Sequence, residues 1–172
     1  MEPSPSIEHR VLSLEETEAK CRLWRAEGRK VVFTNGVFDL LHRGHVTYLE
    51  AAAALGDVLV VGVNDDASVR RLGKGEDRPI VGEADRVRVL AALRSVGIAV
   101  LFGSDTPMEL IQRLTPDVLV KGGDYDAECR DPADPRYIVG SAEVKAQGGR
   151  VETIALVPGR STTVLASKLK RS

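Results

Sequence analysis

Five short strand-like runs, separated by stretches with helical periodicity, constrain this chain more than any other feature. The runs fall at 30–34, 57–63, 98–102, 118–120 and 151–156 and are rich in Val, Leu and Ile. In Asp57-Val58-Leu59-Val60-Val61-Gly62-Val63 the apolar residues stand in succession instead of alternating. That is the pattern of a strand covered on both faces, as in a parallel sheet. Strands alternating with helices predict an α/β fold: a doubly wound, Rossmann-like parallel sheet of five strands. In such sheets ligands bind beyond the carboxyl ends of the strands, where the strand order reverses. Function is therefore expected in the loops that follow the strands.

Local signals place the helices. Ser13 followed by Glu16 is a capping-box pattern, so a helix is expected from Leu14, with Thr17, Cys21 and Trp24 on one face and Gly28 as its stop. Further helices are expected over 44–55, 83–94, from Thr106-Pro107-Met108-Glu109 onward, over 142–147 and over 161–170. Residues 1–12, with Pro3 and Pro5, read as a flexible lead, and 13–172 as one domain. The length of 172 residues suits a single core.

A formal net charge of −1 supplies no bulk positive field, so nucleic-acid binding is not expected. Cys21 and Cys129 lack ligand-type spacing and read as free thiols in a reducing compartment. The N-terminus lacks the apolar run of a signal peptide, and no segment approaches the roughly 20 apolar residues of a membrane span, so the expected location is cytoplasmic, without membrane association.

The loop after the first run reads Thr34-Asn35-Gly36-Val37-Phe38-Asp39-Leu40-Leu41-His42-Arg43-Gly44-His45 and holds two of the three histidines in the chain. A helix N-terminus attracts phosphate through its free N–H groups. Imidazoles beside it can donate hydrogen bonds to phosphate oxygens, and a glycine between them lets a phosphate chain approach the backbone. Two donors converging on one phosphorus would stabilise charge that builds up in phosphoryl transfer. A histidine pair at this spacing can also ligate a metal, although no third ligand stands nearby in the sequence.

The segment Gly-Val-Phe-Asp-Leu-Leu-His-Arg-Gly-His at 36–45 resembles the His-x-Gly-His segment of the cytidylyltransferase-like nucleotidyltransferases. Within that group it is most similar to the heptose 1-phosphate adenylyltransferases, which also occur as the C-terminal half of a bifunctional kinase/adenylyltransferase. The resemblance continues through Asn64-Asp65-Asp66-Ala67-Ser68, Arg78-Pro79, Asp117 to Tyr125, Gly148-Gly149 and Gly159-Arg160-Ser161-Thr162-Thr163. It implies transfer of AMP from ATP to a sugar 1-phosphate, with Mg²⁺ held mainly by the phosphates and not by dedicated protein ligands.

The same resemblance implies roles for particular residues. His42 and His45 would contact the phosphates and stabilise the transition state. Thr34, Gly36 and Phe38 would form the floor under the triphosphate, and Asn35 and Gly44 would also bind the nucleotide. Asp39 would orient a histidine or help organise the metal, or else serve as a buried structural carboxylate. Lys74, in the glycine-flanked loop after the second strand, would reach the transferring phosphate, unless it is a solvated loop lysine. Arg78 would bind a substrate phosphate or anchor its loop. Lys121, Gly122, Asp124 and Tyr125 would border the base and the acceptor, unless they form a plain strand-end turn. Ser161, Thr162 and Thr163 would grip the outer phosphates in addition to capping a helix.

Three departures qualify the resemblance. The 126–140 loop is longer than in the fused enzymes. The 70s loop is also slightly longer. Glycerol-phosphate cytidylyltransferases carry an arginine where this chain has Leu156. The rival functions are a cytidylyltransferase for an alcohol phosphate, a nucleotide-binding regulator without chemistry, and a metal-binding protein. The family resemblance also implies a homodimer, and a separate sugar kinase that supplies the acceptor.

Overall fold

The computed structural model describes residues 7–73, 75, 77–159, 162 and 165. The strands are β1 (Val31–Gly36), β2 (Val58–Asn64), β3 (Ile98–Phe102), β4 (Val118–Gly122) and β5 (Arg150–Ile154). The helices are α1 (Leu14–Ala26), α2 (Arg43–Ala53), α3 (Asp66–Arg71), α4 (Glu83–Ala91), α5 (Met108–Leu114) and α6 (Ser141–Ala146). Of the helix expected over 161–170, the described residues hold only Thr162 and Leu165, both helical.

All strand pairs are parallel, in the order β3-β2-β1-β4-β5. The order therefore reverses between β1 and β4, whose carboxyl ends stand side by side. Consecutive apolar residues in β1 to β4 supply two cores. Val32, Leu59, Val61 and Val118 pack with α2 and α4 on one face, and Val31, Phe33, Val60 and Leu119 pack with α1, α5 and α6 on the other. Adjacent strand residues point to opposite faces, so unbroken hydrophobicity is what a doubly covered sheet requires.

The capping box of α1 forms as expected. The Glu16 N–H donates to Ser13 Oγ at 3.2 Å, and the Ser13 N–H donates to Glu16 Oε2 at 2.9 Å. Gly28, with φ +74°, closes the helix, and the Arg29 N–H returns to the Trp24 carbonyl.

Three expectations need correction. The lead over residues 1–12 is docked from Ile7 onward. Ile7–Arg10 form a 3₁₀ turn, Val11 bridges to Ala99 in β3, and Arg10 donates to the carbonyls of Ala91 and Val96. Thr106 does not cap α5: Pro107 itself occupies the N-cap, with no side-chain cap bond, so the helix begins one residue later than a threonine cap would set. Finally, α3 was not expected. Asp65 caps it by accepting from the Ser68 N–H at 2.6 Å.

Candidate active site

A cleft of about 620 Å³ opens over the carboxyl ends of the strands, centred on the β1/β4 switch point. His42, Gly44, His45, Lys121, Gly122, Asp124 and Thr162 all line it. Residues far apart in sequence are thus gathered where strand order reverses, as the topology requires.

Its floor is the turn from β1 into α2. Phe38 has φ +51°, a left-handed conformation that costs a bulky residue roughly 1–2 kcal/mol. Gly36 makes room for it, since a Cβ there would stand 3.0 Å from the Phe38 ring. The ring meets His45 edge-on, with centroids 5.3 Å apart. His42 and His45 stack at 3.9 Å with an interplanar angle of 17°. His42 is the N-cap of α2 but makes no side-chain cap bond. The His45 N–H already donates to the His42 carbonyl at 2.9 Å, so the N–H groups of Arg43 and Gly44 are the first-turn donors of α2 left available to an anion.

Burial and the neighbouring His42 push the His45 pKa down to about 4, against a smaller upward pull from the Leu40 backbone. That backbone lies close without completing a hydrogen bond, and His45 Nδ1 is sealed from solvent. His45 is therefore neutral near pH 7 in the free protein. It can donate one N–H, and an incoming polyanion would raise its proton affinity.

Asp39 does not line the cleft. It is 4% exposed, and both its oxygens are engaged. Arg78 Nη1 donates to Oδ2 at 2.6 Å, and the N–H groups of Ile80 and Val81 donate to Oδ1 at 2.8 and 2.9 Å. Burial raises its pKa, but the Val81 N–H, the Arg78 guanidinium and the Ile80 N–H together outweigh that effect and leave it lowered. This geometry is that of a structural carboxylate, and it turns Arg78 toward Asp39 and out of the cleft lining. Thr34 is also absent from the lining. It is fully buried, and its hydroxyl shares a 2.7 Å hydrogen bond with the Tyr48 hydroxyl. Burial lifts the Tyr48 pKa to about 12, against the Thr34 bond, so the phenol stays protonated.

Across the switch point, Lys121 Nζ donates to Asn35 Oδ1 at 2.6 Å and stands 5.5 Å from the Tyr125 ring centroid. This pair ties the end of β4 to the end of β1. Lys74, Ser161 and Thr163 lie outside the described residues. Of the three hydroxyl residues Ser161, Thr162 and Thr163, Thr162 is described, on the cleft wall.

Sequence reasoning missed several residues. Tyr48, Asn64, Asp105 and Tyr137 line the cleft without having been singled out for it. Arg86, on α4, is 2% exposed and binds three carbonyls, those of Val37, Asn64 and Val81, as well as Asp66 Oδ1. A signal existed: Arg86 stands four residues before Leu90, on the buried face of α4. A charge at such a position calls for buried partners.

The arrangement offers several N–H donors facing a concave site. Among the described residues, no three of His, Cys, Asp or Glu gather as a metal cage. The N–H donors gathered in the cleft suit the oxygens of a polyphosphate. No helix among the described residues is long and apolar enough to cross a membrane.

The cytidylyltransferase-like family model matches residues 33–166. The bifunctional protein HldE of Methylobacillus flagellatus is 51% identical over 160 residues, covering 93% of this chain and 31% of the relative. The chain thus spans about a third of the length of the curated relatives it matches. A crystal structure described as the lipopolysaccharide core biosynthesis protein of Thermoplasma volcanium is 32% identical, with a TM-score of 0.57, covering 76% of this chain and 98% of that one. Pantoate-beta-alanine ligase from Francisella tularensis, 14% identical with a TM-score of 0.56, covers 89% of this chain and 68% of that one and shares the fold.

Proposed function

The chain belongs to the cytidylyltransferase-like family, and on that premise we propose that it is an adenylyltransferase that moves AMP from ATP to a sugar 1-phosphate and releases pyrophosphate. The acceptor we favour is D-glycero-β-D-manno-heptose 1-phosphate, giving ADP-heptose for lipopolysaccharide or another surface glycan. Similarity to the bifunctional relatives and to the Thermoplasma protein supports this choice. The observation that carries the reaction class is the stacked His42–His45 pair at the uncapped start of α2, inside the switch-point cleft.

An acceptor phosphate oxygen attacks the α-phosphorus of ATP in line. The new oxygen–phosphorus bond forms as the bond to the bridging α,β oxygen breaks, and pyrophosphate departs with that electron pair. A sugar phosphate is already ionised near neutral pH, so no strong base is needed. His42 and His45 serve as donors to the phosphate oxygens, and the N–H groups opening α2 add to them. When present with ATP, Mg²⁺ would be held mainly by the phosphates and would supply charge neutralisation there. A sugar kinase would supply the acceptor.

The test is pyrophosphate release with ATP and CTP, each against heptose 1-phosphate and glycerol 3-phosphate. Release with ATP and heptose 1-phosphate is expected. CTP with glycerol 3-phosphate as the productive pair would replace this assignment with a cytidylyltransferase, and ATP binding without turnover on any acceptor would indicate a regulator.

A further inference from the structure

Phe38 holds its unfavourable backbone angle between two anchored neighbours. On one side, Arg86 Nη1 donates to the Val37 carbonyl at 2.6 Å. On the other, Asp39 is held by Arg78, Ile80 and Val81. The C=O and N–H of a trans peptide point in opposite directions. Drawing the Val37 carbonyl inward toward Arg86 therefore turns the Phe38 N–H outward. Val37 and Phe38 both line the cleft, whereas Arg86 does not. Among the described residues, the Phe38 N–H donates to no other group.

We propose that Arg86 is a positioning residue for the triphosphate: it fixes the Val37–Phe38 peptide so that the Phe38 N–H faces the cleft as a phosphate donor. Its Nη2 also donates to the Asn64 carbonyl and to Asp66 Oδ1, both at 2.8 Å, and its Nε to the Val81 carbonyl at 2.9 Å. One planar cation thus joins the loops after β1 and β2 to the segment entering α4. Lysine keeps the charge but gathers its donors on a single nitrogen, so it cannot span these acceptors. The inference rests on the nucleotidyl-transfer reading above.

The experiment compares wild-type protein with Arg86→Lys in binding ATP, pyrophosphate and AMP, alongside thermal unfolding. The Phe38 amide is followed by ¹⁵N NMR. Arg86→Lys is expected to weaken ATP and pyrophosphate by about tenfold, the scale of one hydrogen bond to a charged group, and AMP by less than about twofold. In wild-type protein, ATP and pyrophosphate should both shift the Phe38 amide. Equal weakening of all three ligands, or none, would overturn the role. If the variant does not fold, the wild-type amide decides: an unshifted Phe38 signal in saturated protein overturns it, and a shifted one supports it. Wild-type protein that binds neither ATP nor pyrophosphate would remove the transferase reading and this inference with it.

Discussion

The loop that follows β1 and the loop that follows β4 face each other across one cleft and are built in opposite ways. Distant parts of the chain pin the first. Asp39 is held by residues 39 to 42 positions away, and the Val37 carbonyl by Arg86, 49 positions away. The second, from Gly123 to Val139, is braced mostly by its own aspartates. Asp126, Asp131 and Asp134 each accept from an N–H two residues on. Ile138 is its deeply buried anchor. Donors that stabilise developing charge work best when fixed beforehand, whereas a wall that sets substrate choice tolerates variation. Rigidity is concentrated on the side where the reacting phosphates are proposed to sit.

The largest expected effect tests the rigid side directly. His45→Ala should lower pyrophosphate release by about 10²-fold or more while leaving the unfolding midpoint nearly unchanged. Turnover close to wild type would break the link between that wall and the chemistry. Next, Asp39→Ala should cost roughly 2–3 kcal/mol of stability in urea denaturation, because Arg78 and two N–H groups lose a buried partner. A loss below about 0.5 kcal/mol, the range of ordinary surface changes, would show that the pinning is superficial.

Acid should sharpen the contrast further. The folded pKa of His45, about 4, lies below its unfolded value of 6.5. Unfolded chains bind that proton first, so stability is level above pH 6.5 and falls as pH drops from 6.5 toward 4. The lowered pKa of Asp39 adds a loss at still lower pH, from its ordinary 3.8 downward. Denaturant midpoints measured across this range should decline more steeply for wild type than for His45→Ala, and parallel curves would refute the burial of that imidazole. The smallest effect belongs to the other wall. Asp134 is half-buried at the surface and serves its own turn and Arg136, so Asp134→Ala should shift the melting temperature by less than about 2 °C. A larger shift would mean that the β4 wall is held as firmly as its counterpart.

Much of the architecture was legible from local pattern. Apolar runs located all five strands, unbroken in β2 and interrupted by polar residues in β5, and Ser13, Glu16 and Gly28 marked both ends of α1. The grouping of His42, Gly44 and His45 with Lys121 and Asp124 follows once a parallel doubly wound sheet is granted, because all of them lie at or beyond the carboxyl end of a strand. The short helix α3 was overlooked because its cap, Asp65, was read only as part of a motif.

Chain pattern reports what neighbouring residues share: periodicity, burial and capping. It therefore specified the layers of the fold and which strand ends would carry polar loops. The destination of an individual polar side chain is another matter, since it depends on which remote carbonyl or N–H the packed sheet brings within about 3 Å. The sequence leaves Asp39 between a site role and a structural one, and only packing brings Arg78, Ile80 and Val81 to its oxygens; the hydroxyl of Thr34 likewise meets Tyr48 only once β1 and α2 are packed together. Arg86 belongs to the same class: its carbonyl partners come from the loop after β1, the end of β2 and the segment entering α4, which meet only after the chain has closed around them.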